Sequence, residues 1–265
     1  MPELPEVEHV KQTINRELKN LKIERVEVLY AGVLKKPSDP SQFTHSLVKQ
    51  TLRHVDRRGK YLLFYFEELI LVSHLRMTGS YDVRRTTDPL ANYAAVIFQF
   101  SDEQQLRYHD LRRLGTMEIY FENEPIVSIE RLGIEPLSKE FTVTLLQQLG
   151  MKSKQSIKNF LLDQRKIAGI GNIYADEICY KAGINPGRKT LDLTGDDWKR
   201  LYTTIVFVLK DAIAYGGGYT FYKKHGYYPF SLYQRAGSPC EQCGTPIERV
   251  VVTKRGTYYC PTCQT

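Results

Sequence analysis

Residues 238–263 read SPCEQCGTPIERVVVTKRGTYYCPTC. Cys240 and Cys243 make one C-x2-C pair, Cys260 and Cys263 make a second, and sixteen residues separate the two. This spacing predicts a tetrahedral four-thiolate site for one zinc ion. Between the pairs, Glu248 to Thr253 alternates and Thr257 to Cys260 returns, as in a β-hairpin that grips the metal at its open end. Four thiolates close the coordination sphere and leave no place for a catalytic water, so the zinc is expected to be structural. Disulfides are the alternative, disfavoured in a reducing compartment. The fifth cysteine, Cys179, falls in a helical pattern and reads as an inert packed thiol.

Upstream, Trp198, Leu201, Ile205, Val208, Leu209 and Ala212 form one face of a helix that begins after Thr194 and stops at Gly216-Gly217-Gly218. Core packing explains that stripe. Residues from about 140 to 215 are predicted to be mostly helical. From about 23 to 121 the pattern is instead one of short strand-like runs, Val26-Glu27-Val28-Leu29, Tyr61 to Phe66, Ile70 to Ser73 and Ala95 to Phe100, which predicts a β-sandwich. Val7, Val10, Ile14, Leu18 and Leu21 are spaced for an amphipathic helix over residues 5–21 lying against that sandwich. A chain of 265 residues exceeds the usual size of a single hydrophobic core. The reading is an α+β chain with a β-sandwich domain over 1–130, a helical domain over 131–237 and a zinc β-hairpin over 238–265.

A hydrophobic fraction of 42% and a charged fraction of 25% exclude a disordered or fibrous chain. The net charge of +7 favours a polyanionic partner, although charge alone suits a membrane surface or a ribosome equally well. No stretch approaches the roughly 20 apolar residues of a membrane span. Glu3, Glu6 and Glu8 stand where a secretory signal needs basic and apolar residues, so a reducing cytoplasm is expected.

The chain opens Met1-Pro2-Glu3-Leu4-Pro5-Glu6-Val7-Glu8. With Met1 removed, Pro2 exposes a secondary amine beside a carboxylate. Attack of such an amine on a sugar C1′ gives an iminium directly, an electron sink that drives elimination of a phosphate ester from the same sugar. The alternative is that Pro2 and Pro5 rigidify a helix entry.

Four landmarks, MPELPEVE at 1–8, RRGKYLLF at 57–64, GIGNIYADE at 169–177 and TKRGTYYCPTC at 253–263, resemble in order and spacing the formamidopyrimidine-DNA glycosylase and endonuclease VIII family of base-excision repair enzymes. The resemblance covers nearly the whole chain. It implies a β-sandwich flanked by helices, then a helix-two-turns-helix module and a zinc hairpin, with damaged or abasic DNA lying between the halves. It implies that Pro2 attacks C1′ and that Glu3 protonates the sugar ring oxygen, for which partial burial and Glu6 would raise its pKa. Lys60 becomes a conjugate acid or phosphate clamp, while Arg57-Arg58-Gly59-Lys60 equally suits a plain phosphate-contacting turn. Arg255 becomes a phosphate ligand that assists the second elimination. His74, Met77 and Arg112 match positions that contact the backbone or fill the hole left by an extruded base. Lys154 and Asn172 become DNA contacts, the latter at a helix N-terminus whose amides suit a phosphate. One zinc, no small-molecule cofactor and a monomer acting near the bacterial nucleoid complete the implication.

The chain departs from that family in several places. Asp110-Leu111-Arg112-Arg113-Leu114-Gly115 lacks a proline before the arginines and ends in Leu114 instead of phenylalanine, an apolar wedge that stacks less well on a base. Tyr93 stands where many members have a histidine that contacts DNA. The segment from Tyr219 to Phe230 is short and rich in tyrosine, which puts a preference for 8-oxoguanine in doubt. A retained Met1 turns the amine into an amide that cannot form an iminium, and Leu114, Tyr93 and the short loop favour an alternative, a non-catalytic or AP-lyase-only relative that binds abasic or distorted DNA. A generic RNA-binding zinc ribbon leaves MPELPEVE and Lys60 unexplained.

Overall fold

The apolar spacing of Val7, Ile14 and Leu18 produces the first element of the computed structural model, helix α1 (Leu4–Leu18), with those three side chains fully buried. The helix ends three residues short of Leu21 because Asn20 adopts a left-handed φ of 68° and turns its N–H onto the Leu52 carbonyl, 2.7 Å away. The structure describes residues 2–121, 123–217 and 230–265. The chain divides into two units, one of Pro2 with Glu6–Glu130 and the other of Glu3–Pro5 with Arg131–Thr265.

In the first unit β1 (Ile23–Val28), β2 (Leu34–Lys36), α2 (Pro40–Leu47), β3 (His54–Arg58), β4 (Tyr61–Tyr65), β5 (Leu69–His74), β6 (Gly79–Arg85), β7 (Ala94–Phe100), β8 (Gln104–Asp110) and β9 (Thr116–Phe121) follow in order. They form a four-stranded sheet, β1-β7-β8-β6, and a five-stranded sheet, β2-β9-β5-β4-β3. All pairings are antiparallel except β2 with β9. Val26, Phe98 and Leu106 from one sheet share a core with Leu62, Leu71 and Ile119 from the other and with Val7, Ile14 and Leu18 of α1. Each fully buried side chain of this kind is worth roughly 1.5–3 kcal/mol of apolar transfer, so two sheets and a helix closing on one core supply the main drive to fold. A short helix, α3 (Val127–Glu130), ends the unit.

The second unit is helical, with α4 (Val143–Met151), α5 (Ile157–Leu162), α6 (Asn172–Lys181) and α7 (Gly195–Ala214), followed by the hairpin β10 (Glu248–Val252) and β11 (Arg255–Tyr259). Helix α7 starts where its sequence requires. The Thr194 hydroxyl accepts the Asp197 N–H and the Asp197 carboxylate accepts the Thr194 N–H, a reciprocal cap. Trp198, Leu201, Ile205 and Leu209 are then fully buried. Between α5 and α6 the chain makes two turns. The Asp163 carbonyl accepts the N–H groups of Lys166 and Ile167, and the Gln164 amide bridges Gly169 N–H and Ile170 C=O. Among the described residues no helix is long and apolar enough to cross a membrane.

Candidate active site

The N-terminal segment is seated on the start of α6. Glu3 is completely buried, and its carboxylate accepts N–H groups from Gly171 at 2.7 Å, Ile173 at 3.0 Å and Tyr174 at 3.3 Å. The Leu4 N–H donates to the Gly169 carbonyl at 3.0 Å. The glycine at 171 is needed for this approach, since a Cβ there would fall 2.2 Å from the Glu3 carboxyl carbon. The amides expected to receive a phosphate are therefore occupied by a side chain of the protein, an anion at a helix N-terminus all the same. Burial of Glu3 is total where partial burial was expected. Pro2, directly before it, is half-buried, and Glu6 is 4% exposed in the first turn of α1.

Lys60 sits in the two-residue turn joining β3 to β4, where Arg58 faces Tyr61. Gly59 takes a φ of 57°, the left-handed conformation such a turn needs at its first position. Arg57 is not available as a phosphate contact in this turn. Its guanidinium bonds Glu8 of α1 at 2.9 Å and the Gly59 carbonyl at 3.0 Å. Burial would raise the Glu8 carboxyl, but hydrogen bonds from Lys11 and Arg57 outweigh it and hold the group below its ordinary range. Lys60 is itself only 9% exposed. Burial and the charges of Arg76 and Lys60 push the His74 imidazole down to about 3. Its Nδ1 accepts the Arg76 N–H at 2.9 Å, which leaves a neutral ring with the proton on Nε2, edge-on to Tyr61 at 4.5 Å.

The hairpin is docked on α5 and α6 by buried charge. Lys158 Nζ meets Asp176 at 2.7 Å, the Gly256 carbonyl at 2.9 Å and the Thr257 hydroxyl at 2.8 Å, and Asp176 also accepts the Tyr258 N–H at 3.1 Å. Burial raises the Asp176 carboxyl above its ordinary range despite the neighbouring ammonium. Asn172 donates from Nδ2 to the carbonyl of Gly256, the residue after Arg255, at 3.1 Å. Arg255 is exposed beside a turn in which Thr253 and Lys254 take φ of 46° and 66°. A β-branched residue held left-handed is strained, and such strain collects at working surfaces. Glu177, only 3% exposed, accepts N–H groups from Ser231, Leu232 and Tyr233 and fixes the chain as it enters the cysteine segment.

All four predicted ligands meet. The sulfurs of Cys240, Cys243, Cys260 and Cys263 lie within 4.8 Å of one another, with Cys243 to Cys260 at 3.5 Å and Cys240 to Cys263 at 3.9 Å. Ligands 2.3 Å from a tetrahedral zinc stand about 3.8 Å apart, so the donor set fits one zinc and leaves it no open position. The Tyr180 hydroxyl lies 3.2 Å from the Cys240 sulfur, an outer partner of the kind that orients a thiolate. Burial pushes the Cys179 thiol far up, as expected of an inert one.

This arrangement has counterparts over the full length of the chain. Residues 1–117 match the formamidopyrimidine-DNA glycosylase N-terminal domain, 132–223 the formamidopyrimidine-DNA glycosylase H2TH domain, and 237–265 the zinc finger found in FPG and IleRS. Formamidopyrimidine-DNA glycosylase of Geobacillus kaustophilus is 40% identical, with 100% of both chains covered. The chain belongs to the formamidopyrimidine-DNA glycosylase family. Another relative of that name, from Ligilactobacillus salivarius, is 42% identical over 100% of this chain and 99% of its own. The Lactococcus lactis Fpg solved with DNA containing an abasic site superposes with a TM-score of 0.91 at 32% identity, covering 99% of each chain. The same protein with N7-benzyl-Fapy-dG DNA gives 0.91 at 32% identity over 100% of each. The α+β fold read from the sequence, with its sandwich, helix-two-turns-helix module and zinc finger, is the fold of this family.

Of the other residues singled out by resemblance to Fpg, Met77, Tyr93 and Leu114 are 41%, 52% and 47% exposed. Lys154 is exposed in the loop before α5. Met1 and the tyrosine-rich segment up to Pro229 lie outside the described residues, while Phe230 packs edge-on to Tyr174 with ring centroids 6.0 Å apart. Sequence reading missed Lys158, Asp176 and Glu177. Adjacent acids inside the apolar run from Ile173 to Tyr180 were the available signal, because a buried carboxylate requires a partner.

Proposed function

We propose that the chain is a DNA glycosylase that removes oxidised bases and then cleaves the backbone by β,δ-elimination through a Pro2 Schiff base. The proline nitrogen forms a bond to C1′ as the glycosidic bond breaks and the base leaves with its electron pair and a proton. Glu3 takes the proton that the proline nitrogen releases on bonding to C1′ and passes it to the ring oxygen, the sugar opens and the iminium forms. Loss of the C2′ proton expels the 3′ phosphate, loss of the C4′ proton expels the 5′ phosphate, and water hydrolyses the remaining imine to free Pro2. Lys60 and Arg255 serve as the cationic acids at these departures. His74, Met77, Tyr93, Arg112, Leu114, Lys154 and Asn172 hold the DNA. Zinc, when bound, holds the hairpin that carries Arg255 and takes no part in bond making.

The observation that carries this reading is the seat of Glu3, a completely buried acid fixed by three amides directly after the proline whose sugar it would protonate. The working domains are proposed as 1–130, 131–237 and 238–265, in a monomer. Single-lesion duplexes, tested with protein whose N-terminus has been verified by mass spectrometry, check the reading. Incision at oxidised bases and at abasic sites with phosphates left on both ends supports it. Tight binding without incision by protein bearing free Pro2 refutes it.

A further inference from the structure

Asp110, the last residue of β8, is 1% exposed, and four groups converge on its carboxylate. It accepts the Thr78 hydroxyl at 2.5 Å, the Gly115 N–H at 2.7 Å, the Arg112 N–H at 3.2 Å and the Tyr108 hydroxyl at 3.4 Å. Its own N–H donates to the Tyr93 carbonyl at 3.0 Å. The Thr78 oxygen, having donated to Asp110, accepts the Arg112 N–H at 3.0 Å. The carboxylate thus joins two loops, at 75–78 and 111–115, while the backbone N–H of the same residue holds a third, at 91–93, without the side chain. The fit is tight, since a Cβ at Gly79 or Gly115 would fall 2.5 Å or 1.7 Å from the Tyr108 hydroxyl oxygen.

Outward, the same loops present Met77, Tyr93, Leu111 and Leu114, all between 41% and 60% exposed. Arg76 and Arg113, neighbours of Met77 and Leu114, are held left-handed at φ of 53° and 56°. Apolar side chains left in water forgo the stabilisation of burial, and holding non-glycine residues in this conformation opposes folding. A buried charged acceptor supplies the opposing force, since hydrogen bonds to an ionised carboxylate are among the strongest available.

We propose that Asp110 and Thr78 are positioning residues that lock the loops at 75–78 and 111–115 into one rigid element, so that Met77, Arg112 and Leu114 enter a duplex together when a nucleotide is extruded. This deepens the function proposed above and rests on it. Separately mobile loops would have to be ordered at each insertion, at an entropic cost that the latch meets during folding.

The test uses the full-length zinc-loaded protein and a duplex carrying a non-excisable 2′-fluorinated oxidised nucleotide with 2-aminopurine beside it, whose fluorescence rises when the stack opens. The expected result is that Asp110→Asn and Thr78→Val each lower the amplitude or rate of the rise about tenfold, while Thr78→Ser restores it and affinity for undamaged duplex changes less than about threefold. Incision of a preformed abasic site, where no base is extruded, should stay within about threefold of wild type. An unchanged rise in both variants overturns the proposal, as does an equal fall in the rise, undamaged-duplex binding and abasic incision, or a wild-type protein that gives no rise. The optical signal needs no turnover. A wild-type protein that gives the rise but never incises abasic DNA would defeat the catalytic reading and leave the latch standing.

Discussion

Lys158 and Asp176 form an ion pair of 2.7 Å in which both side chains are completely buried. The pair joins α5 to α6, and its remaining hydrogen bonds reach Gly256, Thr257 and Tyr258 of β11, so the same charges that tie two helices also set the hairpin carrying Arg255. Two buried charges are costly to separate and cheap to remove together.

Lys158→Met alone should therefore destabilise the protein by about 3–5 kcal/mol, by leaving a buried carboxylate unpaired. The double variant Lys158→Met, Asp176→Leu should recover most of that loss. Urea unfolding of the zinc-loaded protein measures both. DNA affinity should stay reduced in the double variant, because the hairpin has lost its tether even where stability has returned.

Gly171→Ala places a methyl group where the Glu3 carboxylate sits, in a backbone conformation (φ −123°, ψ −165°) that alanine adopts without strain. The expected outcome is loss of base excision with zinc content unchanged. Adding Glu3→Ala should restore thermal stability and leave excision absent, which separates the steric effect from the chemical one.

His74 gives a pH dependence of known sign. The unfolded imidazole takes up a proton near pH 6.5 and the folded one only near 3, so the unfolded chain binds more protons between those values. This contribution to stability is full above pH 6.5 and is lost as pH falls towards 3, at no more than about 1.4 kcal/mol per unit. His74→Gln should flatten the stability curve over that window, as followed by denaturant titration. Because the ring is neutral, the same variant should weaken DNA binding without changing its salt dependence, whereas Arg112→Gln should lower the slope of log affinity against log salt by about 1.

Metal analysis should find one zinc per chain, released only when all four thiols are titrated with a mercurial reagent. Removal should melt the finger, because most of the folding energy of so small a hairpin comes from its metal. DNA binding should fall, while the helical signal of α4 to α7 persists.

Elements whose signals are local could be read in advance. The face of α7 and its cap lie within one stretch, and the cysteine spacing specifies its own geometry. The strands β3 and β8 were harder, since charged residues in His54–Arg58 and polar ones in Gln104–Asp110 blur the alternation. Partnerships across long separations were not legible. Glu3 and Gly171 are 168 residues apart, and nothing at either position shows that the amides after Gly169 await a carboxylate of the same chain. Asp110 resembles any acid at a strand end until the loops around it are seen to share it.

The central claim is that Pro2 supplies the nucleophile, and borohydride trapping on abasic DNA tests it most directly. Protein with a verified free Pro2 is predicted to become covalently joined to the DNA through its N-terminal peptide. No adduct, or an adduct mapped to a lysine instead, would contradict the account.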